Sequence, residues 1–399
     1  MFSLATKKRI GTGLLLRSNP LYVQFYLTAR CNLTCQQCNI IYANSDLREC
    51  TLPEIEKIAG NLAKIGVAIV LLTGGEPFLR KDLPEIIGAF VKNGIHVRMQ
   101  TNGLASEEAF ARCVAAGGRD ISISLDTVRG ALQDEINGGF PGSWERAIKT
   151  IAMVTRYLPP KESFAAFGCV ITPLNIEDVE DVVAFGTRIG WYTSLVPIHV
   201  TRESMPMNFR TYDQRIDFRP EHVAPVTALL ARLHEMKRTG ALLYDSDEYL
   251  EDIRRFAAHE PTHWRRRNDD VCDSPGLYFA ILPDGRFSVC CDHRLPGAPV
   301  PTYADEFPAA YRDGAFRKRV TDVARACEGC MFGSYPEITI TARYWSATFE
   351  RIRVFAGEAP RREWPLTESQ LTDIAADVLA SRRRREGGSR RIPLATVQP

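Results

Sequence analysis

Three cysteines fall within eight residues, Cys31, Cys35 and Cys38, in the run Thr28-Ala-Arg-Cys-Asn-Leu-Thr-Cys-Gln-Gln-Cys-Asn39. A four-iron cluster asks for four soft thiolates, so a loop that supplies three leaves one iron open to an outside ligand. Such an iron is a place where chemistry can start. Two thiolates separated by two residues also make half of a zinc site whose other half lies further along a chain. The companions of the triplet, Arg30, Asn32, Gln36 and Gln37, are polar. That sets these thiols apart from cysteines packed as small core hydrophobes.

A second set of cysteines is spread over residues 272–330. Pro283-Asp284-Gly285 is a turn signal between two apolar runs, so residues 272–290 read as a hairpin with Cys272 and Cys290 outside its arms. The arms bring those two thiols back to one neighbourhood. Cys327-Glu-Gly-Cys330 follows a helical segment and completes a set of four, enough for one closed metal site, cluster or structural zinc. Cys291 competes with Cys290 for a place in it. Cys50, Cys113 and Cys169 lie in helix or strand contexts and read as buried thiols.

The elements that must position these residues are legible as alternating β-rich and helical patterns. Strands are expected at 21–28, 67–73, 95–101, 121–125, 164–171 and 192–200, with helices between them. Thr51 with Glu54 forms a capping box, and Asn175 with Asp178 opens another helix. Six such units predict an α/β fold, a partial (βα)6 barrel of TIM-like type, with functional residues on loops after the strand carboxyl ends. The chain divides into a lead-in (1–20), the barrel (21–200), a helical linker (201–270), a small cysteine-rich hairpin and helix extension (271–333) and a helical carboxyl-terminal segment (334–399). Its tail helix, 366–385, starts at a Thr367/Gln370 capping box and ends in Arg382–Arg385, with Arg390 and Arg391 beyond. These cations suit a solvated helix end better than a nucleic-acid surface.

The chain has 399 residues, 45% of them hydrophobic, and 50 Lys plus Arg against 48 Asp plus Glu, so its charge exerts no global pull on nucleic acid or membrane. Ile10–Leu16 is short, holds two glycines and lacks a cleavage site after it, so it reads as neither a signal peptide nor a span. Eleven cysteines without a secretion signal point to a reducing, cytoplasmic setting and to metal over disulfides.

Taken together, these residues resemble the radical S-adenosylmethionine (SAM) superfamily, in the branch with a carboxyl-terminal SPASM or twitch extension. The Cys-x3-Cys-x2-Cys loop after the first strand carries the resemblance, with Thr73-Gly-Gly-Glu-Pro77 after the second, Thr101-Asn-Gly103 after the third and Ser122-Ile-Ser-Leu-Asp126 at the fourth. It implies a 4Fe-4S cluster on Cys31, Cys35 and Cys38 whose open iron is chelated by SAM. Gly74, Gly75, Glu76, Thr101, Asn102, Ser124 and Asp126 are then the SAM-binding residues, Glu76 facing the amino group of the methionine moiety. Cys272, Cys290, Cys327 and Cys330, with Gly285 five residues ahead of Cys290, match the shortened twitch form, which holds one auxiliary 4Fe-4S cluster. Gln37 stands where the family often has an aromatic residue near the adenine, and Tyr42 is a possible substitute.

The resemblance further implies reductive cleavage of SAM to a 5'-deoxyadenosyl radical, abstraction of a hydrogen atom from substrate, and net oxidation through the auxiliary cluster, with flavodoxin or ferredoxin as electron donor. Asp273, beside the first auxiliary cysteine, is the expected proton acceptor. A small polar molecule, sugar- or aminocyclitol-like, is the expected substrate, because few residues precede the first strand. A peptide maturase is the alternative, and a radical epimerase with Cys291 or Cys169 as hydrogen donor is a third.

Overall fold

Short runs rich in Val, Ile, Leu and Phe pair in parallel to form the centre of the protein. The strands are β1 (Tyr22–Thr28), β2 (Ile69–Gly74), β3 (His96–Thr101), β4 (Asp120–Ser124), β5 (Phe164–Ile171) and β6 (Tyr192–Pro197). The computed structural model describes all residues except 1, 17–18, 36, 39–47, 200–215, 266–271, 292, 298–299, 328, 357–359, 361 and 390–399. Tyr42, Arg390, Arg391 and most of the charged run before Cys272 lie outside the described residues.

Helix α1 (Leu4–Leu16) precedes β1, in the segment expected only as a lead-in. Its two glycines and three cations argue for no helix, but tertiary contacts hold it. Arg9 donates to the carbonyls of Val67 and Gly94, each at 3.0 Å. Between the strands come α2 (Leu52–Lys64), α3 (Leu83–Lys92), α4 (Glu107–Ala115), α5 (Gly130–Ile136), α6 (Ser143–Tyr157) and α7 (Val179–Ile189). The Thr51/Glu54 capping box at α2 is present as expected. On β3 the burial alternates, with Val97, Met99 and Thr101 buried and His96, Arg98 and Gln100 partly exposed.

The sheet runs in the order β6-β5-β4-β3-β2-β1-β7-β8. The hairpin of β7 (Tyr278–Ile281) and β8 (Phe287–Ser288) forms as the turn signal predicts, and it docks on the barrel itself. β7 pairs in parallel with β1, Tyr22 opposite Tyr278. The cysteine-rich extension thus continues the barrel sheet.

Because β6 does not pair with β1, the barrel has a seam. Helix α9 (Asp247–Ala257) packs beside β6 and α8 (Pro220–Arg238) packs on α9 and α7, while α10 (Phe307–Arg312) and α11 (Gly314–Ala326) follow the hairpin. The seam is bridged by Phe332, Gly333 and Ser334, where α12 (Ser334–Arg343) begins. Ser334 Oγ hydrogen-bonds Tyr22 Oη on the β1 side at 3.1 Å. On the β6 side a Cβ at Gly333 would stand 3.3 Å from Val196 Cγ2. Two further helices, α13 (Trp345–Ala356) and α14 (Glu368–Ser389), complete the chain, α14 lying on α6 and α7.

Candidate active site in the barrel lumen

The cysteine loop leaves β1 at the carboxyl end of the sheet and is gripped on three sides. Gly75 and Glu76 donate backbone N–H bonds to Thr28 O and Arg30 O at 2.7 and 2.8 Å. A Cβ on Gly75 would stand 2.0 Å from Arg30 O, so only glycine permits this approach. Gly138, at φ +87°, leaves a comparable gap of 2.4 Å to Thr34 O. Arg30 pairs with Glu49 through two hydrogen bonds of 2.7 and 2.8 Å, pinning the loop's return to its start.

Cys31, Cys35 and Cys38 all line one cavity of about 310 Å³ inside the barrel. Gly74, Gly75, Thr101 and Asn102 line the same cavity from β2 and β3. Ser124 and Asp126 line it from β4. Asn102 Nδ2 lies 3.7 Å from Cys31 Sγ, and Cys35 Sγ lies 3.5 Å from Asn137 Oδ1. Asn137 gave no signal in the sequence beyond the two glycines that follow it.

The Glu76 side chain does not itself line the cavity, although Gly74, Gly75 and Pro77 beside it do. Its carboxylate, 1% exposed, accepts hydrogen bonds from Phe78 N, Thr101 Oγ1 and Asn102 N at 3.0, 3.0 and 2.7 Å. It ties the Gly-Gly-Glu-Pro turn to the end of β3 and orients Asn102. Burial pushes its carboxyl up to about 7 despite these donors. Asp126 is held up at about 7 by burial too, and accepts from Val170 N at 2.7 Å and from Gln37 Nε2 at 3.0 Å. Gln37, the departure from the resembled pattern, is therefore a strut from the cysteine loop to β4.

The second cysteine set lies outside the lumen, since none of Cys272, Cys290, Cys327 and Cys330 lines the cavity. Burial pushes the Cys272 thiol up to about 11, with Cys290 and Cys327 adding to the effect by charge. Burial raises the Tyr278 hydroxyl on β7, with Cys272 and Cys330 adding to the effect by charge. Backbone N–H groups of His293 and Gly329 donate to Cys290 Sγ and Cys327 Sγ, both at 3.3 Å. Sulfurs that accept from backbone N–H donors fit thiolates on a metal, whose charge takes the proton off. Cys291 is instead 8% exposed in an apolar cluster with Tyr26 and Tyr335. Among the described residues no three His, Cys, Asp or Glu are arranged to clasp a single metal ion.

Asp273 is not brought to the lumen; it pairs with Arg343 at 3.1 Å. Cys50, Cys113 and Cys169 are buried thiols as expected, each pushed up by desolvation. Sequence reasoning missed the seam residues Phe332–Ser334, which line the cavity from the far side.

Residues 25–186 match the profile of the Radical SAM superfamily. A "Probable GTP 3',8-cyclase" of Methanococcus maripaludis is 33% identical over 231 residues, 57% of this chain and 71% of that protein. The chain belongs to the radical SAM superfamily. Membership implies SAM and a 4Fe-4S cluster as cofactors, and the lumen cysteines fit that cluster by number, order and a shared cavity. The "Mycofactocin maturase MftC" of Mycolicibacterium smegmatis is 27% identical over 172 residues, 43% of each chain, so this chain spans less than half the length of that radical SAM relative. The Streptococcus suis SuiB crystal structure, "bound to precursor peptide SuiA", shares the fold at TM-score 0.59 and 16% identity, over 81% of this chain and 75% of that one. No described helix is long and apolar enough to cross a membrane.

Proposed function

We propose that this radical SAM protein is an oxidoreductase acting on a small polar substrate held in the barrel lumen, with a second, fully protein-ligated 4Fe-4S cluster on Cys272, Cys290, Cys327 and Cys330. The observation that carries this reading is the placement of the two cysteine sets. Cys31, Cys35 and Cys38 open onto the cavity that Thr101, Asn102, Ser124 and Asp126 also line, while the other four cysteines stand off it. A three-thiolate site on the cavity leaves an iron for a ligand in the lumen, and a four-thiolate site off it leaves none.

SAM bound at such an iron supplies, on one-electron reduction, a carbon radical able to take a hydrogen atom from an unactivated C–H bond. The chain's own residues supply placement and enclosure. Asn102, aimed by Glu76, holds the Cys31 sulfur. The bridge at Phe332–Ser334 spans the seam of the lumen, which helps to keep stray hydrogen-atom donors such as thiols from a radical intermediate. Flavodoxin or ferredoxin fits as electron donor, and the auxiliary cluster fits as acceptor of the substrate's surplus electron.

A peptide maturase is the second reading, favoured by the names of MftC and of SuiB with its precursor peptide. A radical epimerase is a third reading; it needs a hydrogen donor that reaches the lumen, and neither Cys169 nor Cys291 lines it. Anaerobic reconstitution tests the main proposal. Iron at about eight per chain with 5'-deoxyadenosine released on reduction supports it, and iron at about four removes the auxiliary cluster.

A further inference from the structure

Below the cysteine rim the lumen carries polar groups that the fold does not use. Gln24 on β1, Gln100 on β3 and Ser122 on β4 line the cavity. Gln24 is only 7% exposed, yet its amide makes no hydrogen bond among the described residues. Ser122 Oγ makes none either. Gln100 meets Thr73 Oγ1 through one end of its amide at 2.9 Å, which leaves the other end for the lumen. Strand register sets Gln100 beside Ser122, and Ser122 beside Ala166. Short residues at Ala166 and Gly168 keep this level of the lumen wide. A Cβ on Gly168 would stand 3.4 Å from Ser122 Oγ.

Charge at the same depth is already neutralised. Asp120, 1% exposed, pairs with His96 at 2.7 Å and with Arg98 at 3.4 Å. Arg98 also donates to Tyr244 Oη at 3.2 Å and lies over Phe164 and Tyr244, 5.3 and 5.8 Å from the ring centres. A ligand therefore meets two amides and a hydroxyl beside aromatic rings, together with one unpartnered nitrogen of Arg98 and one unpartnered oxygen of Asp120, whose charges offset each other. That surface matches an uncharged group dense in both donors and acceptors, with C–H faces for the rings. A chain of phosphates needs several cations, and Arg98 at this level is already paired with Asp120.

We infer that Gln24, Gln100 and Ser122 form a substrate subsite for an uncharged, vicinally hydroxylated group, as on a polyol or sugar ring. The inference rests on the proposed reading of the lumen as the substrate chamber. Saturation-transfer NMR on the reconstituted full chain with SAM tests it, using scyllo-inositol, N-acetylglutamine methylamide and sodium triphosphate as separate probes. The parent is expected to bind scyllo-inositol. Gly168→Val and Gln100→Leu, checked for folding by circular dichroism, are expected to weaken it about fivefold or more, the loss of a few neutral hydrogen bonds. Absence of inositol binding, or binding unchanged in both variants, overturns the subsite. Binding of only the glutamine amide or only triphosphate, lost in the variants, overturns the polyol assignment. If the parent binds inositol but releases no 5'-deoxyadenosine on reduction, the radical reading fails and the subsite stands. The reverse pair of results removes the subsite alone.

Discussion

The two cysteine sets make opposite use of similar ligands. Around Cys31, Cys35 and Cys38 the chain is pressed from outside by Gly75 and Gly138, so that the thiols face inward onto a shared cavity. Around Cys272, Cys290, Cys327 and Cys330 the thiols turn away from the cavity and take backbone N–H bonds from their own loops. An open site needs its surroundings held rigid by other elements, because its ligand set is incomplete. A closed site can be assembled by local loops. Yet the two are joined mechanically, since only two residues separate Cys330 from the seam bridge at Gly333.

The largest effect expected from breaking this comparison is at Gly75. Gly75→Val places side-chain atoms against Arg30 O, and the loop must move. Overpacking of a side chain costs about 1–3 kcal/mol and a backbone clash costs more. Iron at the lumen set should be lost while iron at the second set stays, as read by iron analysis and Mössbauer spectroscopy. Cys330→Ser should do the reverse. About half the iron disappears, SAM cleavage without substrate continues, and amide hydrogen exchange rises over 331–343 while β3 and β4 keep their protection.

A smaller effect is expected from pH. Asp126 has its carboxyl raised from an ordinary 3.8 to about 7, so between those values the folded chain keeps a proton that the unfolded chain has released. Stability should therefore fall as pH rises through that window. Thermal melting at pH 5 and pH 8 checks this, and Asp126→Asn should flatten the slope. The smallest effect is at Asp273. Held by Arg343 outside the lumen, it should leave 5'-deoxyadenosine release within about twofold when changed to Asn, measured by chromatography.

The strands and the hairpin were legible in the sequence because each depends on local signals. Short β-rich runs give β1 to β6 to within a residue or three at their ends, and Pro283-Asp284-Gly285 gives the hairpin. What the sequence did not disclose depends on distant partners. Helix α1 exists through the reach of Arg9 to Val67 and Gly94. The addition of β7 to β1 and the placing of Ser334 on Tyr22 join residues more than 250 positions apart. At the site, the three donors that tie Glu76 to Phe78 and to the end of β3 at Thr101 and Asn102 were likewise out of reach of a reading along the chain.

The claim that the lumen cysteines leave an iron for SAM is tested most directly by 5'-deoxyadenosine release from the parent and from Cys35→Ala, both reconstituted anaerobically and reduced in the presence of SAM. Release from the parent and none above background from the variant is the predicted result. Equal release from both would contradict it.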